Sequence, residues 1–112
     1  MPNIYIYKGF RFYFYSDEHE PKHVHVEKGG HEMKIEITDI GGGTLLPEIV
    51  RVSKKGKRFT NAEVRAIMKI CRIRAFDIIS LWDKHIIKGE PISCETIFKI
   101  KEVGQKSSKK GR

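Results

Sequence analysis

Three histidines, His19, His23 and His25, fall within seven positions of the segment HEPKHVHVEKGG, and His31 follows directly. On a β-strand residues i and i+2 project to one side, so a strand through HVHVE sets His23 and His25 about 6–7 Å apart on one face, with Glu27 beyond them. Three chemistries fit that placement. The first is metal ligation by the HxH pair, helped by His19 or His31. A structural zinc site needs four ligands of defined spacing, however, and Cys71 and Cys94 lie far away with no CxxC and no HExxH helix. No metal or other cofactor is assigned on this pattern. The second is general acid–base catalysis, because an imidazole with a pKa of about 6.5 exchanges protons near neutral pH. Cleavage of RNA without a metal needs a base for the 2′-hydroxyl, an acid for the leaving oxygen and a cation for the phosphorane charge. His23 and His25 suit the proton transfers, Arg11 the charge, and Glu27 and Tyr13 supporting roles. The third is an ordinary solvated strand face, whose polar residues do no more than pair across the sheet.

These residues need a scaffold, and the pattern around them supplies one. FRFYFY, residues 10–15, alternates Phe10, Phe12 and Phe14 with Arg11, Tyr13 and Tyr15. SDEHEPK follows as a turn-rich connection containing Pro21, then HVHVE sets Val24 and Val26 against His23, His25 and Glu27. After KGG, MKIEIT repeats the alternation with Met33, Ile35 and Ile37 on one side. IYIY, residues 4–7, and EIVRVS add short strands, and DIGGGTLLPE between them reads as a flexible connection. Its glycines lack the following Lys-Ser/Thr of a phosphate loop, so a nucleotide site is excluded there.

Thr60-Asn61-Ala62-Glu63 is a capping box. Behind it Val64, Met68, Cys71, Ala75, Ile78, Trp82 and Ile86 recur at three or four residues, predicting a helix from about Asn61 to about Ile87, bent or broken near Arg74. Gly89 and Pro91 end it, and ISCETIFKIK is a candidate last strand. The simplest assembly is an α+β domain of two layers, an antiparallel β-meander packed against one long or broken C-terminal helix. It would leave Arg11, Tyr13, Tyr15, His23, His25, Glu27, Lys34 and Glu36 together on the opposite, open face.

The chain's 112 residues suit one domain over residues 1–100, and 39% hydrophobic with 32% charged residues excludes wholesale disorder. The formal net charge of +8 points to polyanionic partners, meaning nucleic acid or an acidic protein. RVSKKGKR places Lys54, Lys55, Lys57 and Arg58 as candidate phosphate-backbone contacts, and residues 101–112 read as a basic, disordered tail. No apolar run approaches the roughly 20 residues of a membrane span. MPNIYIYKGF has no leader pattern, so a cytoplasmic location without membrane contact is expected, with both cysteines reduced.

Gly9, the FRFYFY alternation, Asp17, His19, Pro21, His23, His25 and the run Val26-Glu27-Lys28-Gly29 resemble the small bacterial proteins grouped as domain of unknown function 4160, built around a DHxPxHxHxxxG-like segment. Trp82 resembles the tryptophan of that family's C-terminal helix, and the likeness spans most of residues 1–90. This chain departs from the pattern in having Glu18 between Asp17 and His19, and Lys22 where a second proline is common. The resemblance implies a small α+β domain. It also implies a toxin-type role in a toxin–antitoxin-like pair, acting on RNA or translation and held by a small acidic partner protein. A non-catalytic protein- or nucleic-acid-binding module and a metal-dependent hydrolase are the alternatives.

Overall fold

A computed structural model describes residues 2–15, 18–53 and 58–100. Alternation in the first half of the chain becomes a meander: β1 (Asn3–Tyr7), β2 (Phe10–Tyr13), β3 (His23–Lys28), β4 (His31–Gly41) and β5 (Thr44–Val52), each antiparallel to the next. A two-residue strand, β6 (Glu95–Thr96), adds in parallel to the outer edge of β1, giving the order β5-β4-β3-β2-β1-β6. The expected last strand is thus reduced to one short rung.

The glycine stretch expected to be a flexible connection is instead the tip of a long hairpin. Gly42 and Gly43 have φ of 64° and 77°, the left-handed pair that a two-residue turn needs to match the twist of its strands. β4 and β5 therefore extend to Gly41 and back from Thr44, well past the expected strand ends. In β1 a register shift between Asn3 and Tyr5 turns both Ile4 and Tyr5 inward.

The helical stripe forms as α1 (Asn61–Ile73) and α2 (Ala75–Trp82), continued by a π-helical turn over Asp83–Ile87. The capping box is present in full, Thr60 accepting from the Glu63 N–H and Glu63 from the Thr60 N–H. The break lies at Arg74, as expected; its guanidinium lies 5.2 Å from the centre of the Tyr5 ring and donates twice to Glu95, at 2.7 and 2.9 Å. That clamp ties the helix junction to β6 and closes the sheet edge.

One apolar core fills the space between sheet and helices. Phe10, Phe12, Val24, Val26, Met33, Ile35 and Ile37 meet Ile67, Ile70, Cys71, Ala75, Ile78 and Trp82, all buried. Trp82 is fully buried, with Phe14 edge-on to it at 5.5 Å. Lys22 reaches Asp83 at 2.9 Å, fixing the entry to β3 against the end of α2. The result is the two-layer α+β domain. No described helix is long and apolar enough to cross a membrane.

Candidate functional site

β3 sends Val24 and Val26 into the core and His23, His25 and Glu27 to the far side of the sheet, as alternation requires. Its neighbours in register are Tyr13 on β2 and Lys34 on β4 opposite His25, and Glu36 opposite His23. The expected face exists, but its middle is not open. His23, His25 and Tyr13 are only 3%, 2% and 2% exposed. Tyr15 and Glu18, which lie between β2 and β3 in the chain, pack against them: Tyr15 on Tyr13 and His25, and Glu18 on both histidines.

Glu18 is the centre of what results. One of its carboxylate oxygens lies 2.8 Å from His23 Nε2 and the other 2.7 Å from His25 Nε2. The second oxygen also accepts the Tyr15 backbone N–H at 2.9 Å. Behind the imidazoles, His23 Nδ1 lies 2.6 Å from the Pro21 carbonyl oxygen. A carbonyl only accepts, so His23 Nδ1 carries a proton. His25 Nδ1 is buried without a hydrogen bond among the described residues, 3.5 Å from a Glu32 oxygen. That oxygen of Glu32 accepts from the Tyr13 and Tyr15 hydroxyls, the latter at 2.9 Å.

Rings complete the enclosure. His25 stacks on Tyr13 at 5.4 Å, meets Tyr15 edge-on at 4.4 Å and touches His23 at 5.0 Å; His23 in turn lies 5.0 Å from Trp82. Burial pushes His25 below the usual histidine range, against the opposing pull of Glu18, so its neutral form is favoured. Burial raises the Glu18 carboxyl, but the Tyr15 N–H and the two imidazoles outweigh it and hold the group ionised. The Tyr13 hydroxyl is pushed up, by burial first and then by its bond to Glu32. Contact with Tyr13 lowers Tyr15, yet burial and Glu32 leave it raised, so both tyrosines remain proton donors.

Of the residues expected on one face, the structure brings His23, His25 and Tyr13 into contact. Arg11 flanks them, its guanidinium 4.2 Å from the Tyr13 ring centre, and bonds Asn3 and Glu27. Glu27 lies one rung further out, where it accepts the Gly30 N–H, and takes no part in the centre. His19 is exposed, and His31 is buried against Phe59 at 4.4 Å, so neither joins the HxH pair. Arg58 is exposed; Lys54, Lys55 and Lys57 lie outside the described residues, as does the basic tail from residue 101.

Glu18 and Glu32 are members that residue patterning did not place here, and Tyr15, placed on this face by alternation, was given no role. The available signal for Glu18 was an acid five residues before the first histidine of HxH, on a connection that must double back. Glu18, His23 and His25 also offer three ligand atoms within 4.8 Å of one another, a donor set compatible with a divalent transition metal.

Comparison with curated proteins and with solved structures gives no significant match. One family does match, over a span that takes in β2 to β5, both helices and every residue of the centre. With residues 9–83 matched by the family described as domain of unknown function (DUF4160), the chain belongs to that family.

Proposed function

We propose that this protein acts on RNA as the toxin-type member of a toxin–antitoxin-like pair, and that the Glu18–His23–His25 centre is its reactive group. The observation that carries the reading is the burial of two imidazoles against one carboxylate, on the face of β3 opposite Val24 and Val26 and beside Arg11, with His23 resting on Trp82 at the end of α2. A buried, charge-bearing cluster of this kind is costly to build for stability alone, and perturbed titrating groups concentrate where chemistry is done. The net charge of +8 favours a polyanionic substrate and a small acidic protein as the restraining partner. Arg11, already on that face, is the cation for a phosphate, and Glu18 is more exposed than the two histidines it joins, at 11% against 4% and 3% for their side chains.

Induced expression in a bacterial host tests this: growth arrest with loss of intact RNA is expected, relieved by co-expression of a small acidic neighbour and abolished by His25→Ala. Unimpeded growth with the intact chain alone would sink the toxin reading. A second reading, a non-catalytic binding module, is favoured by the open edge of β5, where Leu46, Val50 and Val52 are exposed. Tight association with another protein and no RNA cleavage by the purified chain would favour it instead.

A further inference from the structure

We propose that Glu18, His23 and His25 form a binding site for a first-row divalent transition metal of the zinc and cobalt class. The proposal rests on the reading of this cluster as the reactive centre, but its test needs no substrate.

Geometry carries the inference: Glu18, His23 and His25 offer three ligand atoms within 4.8 Å of one another, two of them on buried rings, and the hydrogen bonds around them say which ring nitrogens face inward. His23 gives its Nδ1 proton to the Pro21 carbonyl, so the neutral ring turns a lone pair on Nε2 toward a carboxylate oxygen 2.8 Å away. Two lone pairs at that distance repel, and the contact is favourable only with a positive charge between them: a second proton on His23, or a cation. The same holds on the other side in one tautomer of His25. Its Nδ1, without a hydrogen bond, lies 3.5 Å from the Glu32 oxygen that two tyrosine hydroxyls hold in place. With the proton on Nδ1 that atom faces the negative charge of Glu32, and Nε2 is released as a second lone pair aimed at Glu18. Both imidazoles then present Nε2 inward; His23 is braced from behind at Nδ1 by the Pro21 carbonyl, and His25 Nδ1 faces the Glu32 carboxylate at 3.5 Å, longer than a hydrogen bond. That is the arrangement by which proteins orient metal-bound histidines.

The donor set decides the class of ion. Two imidazoles and one carboxylate suit zinc, cobalt or nickel; magnesium and calcium prefer oxygen donors throughout. Three protein ligands leave at least one position for water or a substrate oxygen, which is the pattern of catalytic rather than structural sites. His19 and His31, the residues that sequence spacing offered as a third ligand, are not needed.

The tag-free chain, stripped with a chelator and dialysed, is titrated with cobalt chloride and then zinc chloride, by visible absorption and calorimetry. One equivalent should bind, with a cobalt spectrum of nitrogen and oxygen ligation that zinc displaces. Glu18→Gln and His25→Ala should weaken binding at least ~100-fold and Glu32→Gln by about 10–100-fold, while His19→Ala binds as the wild type does. Should the His25→Ala chain fail to fold, nitrogen-15 shifts of the imidazoles in the unaltered protein decide instead: zinc should move Nε2 of both His23 and His25. Absence of stoichiometric binding, or binding that leaves those two Nε2 signals unmoved, overturns the proposal. Metal binding without RNA cleavage would overturn the function and leave this site standing. RNA cleavage by a chain that shows no stoichiometric metal binding would do the reverse.

Discussion

Replacing Glu18 by glutamine and by alanine should separate the centre's architecture from its chemistry. In the metal-free protein His25 can donate from Nε2 to the Glu18 oxygen that also accepts the Tyr15 N–H, while His23, donating at Nδ1 to Pro21, meets the other oxygen favourably only with a second proton on Nε2. A glutamine meets the same geometry with neutral groups throughout. Its carbonyl oxygen takes the His25 and Tyr15 donors, and its amide N–H donates to His23 Nε2. Glu18→Gln should therefore change metal-free stability at pH 7 by less than about 1 kcal/mol, since each neutral hydrogen bond contributes ~0.5–1.5 kcal/mol and none is lost. Glu18→Ala removes the partner of three groups, two of them on buried rings, and should cost about 2–4 kcal/mol at ~1–3 kcal/mol for an unsatisfied buried group, discounted for partial access of water. For a domain of this size that lowers Tm by roughly 10–25 °C, against a shift of a few degrees for Glu18→Gln. Urea and thermal unfolding of both variants beside the wild type provide the assay, with cleavage and metal affinity measured on the same samples. Equal destabilisation by glutamine and alanine would refute the proton count at His23. The expected pattern is a glutamine variant that is folded, stable and inactive.

Three further outcomes follow from the fold. Trp82→Ala should cost about 3–5 kcal/mol in urea unfolding, because the ring is fully buried between Phe14 and His23 and nothing can collapse to replace it. Gly43→Ala should cost about 1–2 kcal/mol by the same measurement, since φ is 77° and no atom lies within 4 Å of the added carbon, leaving backbone strain as the whole effect. The Arg74 bond holds the Glu95 carboxyl below its usual value, so the clamp stabilises above the ordinary carboxyl pKa of about 4.3 and fades as pH falls through the lower folded value. Glu95→Gln should flatten that acid limb by no more than about 1 kcal/mol in pH-dependent unfolding, because the pair is exposed to solvent.

The scaffold was legible because it rests on local rules. Val24 and Val26 against His23 and His25 gave the strand and its two faces, and Thr60 with Glu63 gave the start of the first helix. The hairpin at Gly42-Gly43 was misjudged because three consecutive glycines suit a loose connection as well as a tight turn; only the pairing of Thr38 with Leu46 and Asp39 with Leu45 distinguishes them. The centre was half legible. Alternation brought His23, His25 and Tyr13 to one face, but their burial depends on Tyr15 and Glu18 packing against them. That packing is set by contacts such as Lys22 with Asp83, sixty-one residues apart, which no local pattern encodes. Glu32 was hidden for a related reason: it lies at the start of β4, and its role comes from two tyrosines on another strand and its extension.

The most direct test of the centre is cleavage of a defined single-stranded RNA by the purified, tag-free chain, wild type against His25→Ala, with folding of both checked by circular dichroism. Cleavage by the wild type that falls at least ~100-fold in the variant is the predicted result, the usual scale for loss of a proton-transfer group or a metal ligand. No cleavage by the wild type, or equal cleavage by a folded His25→Ala chain, would contradict it.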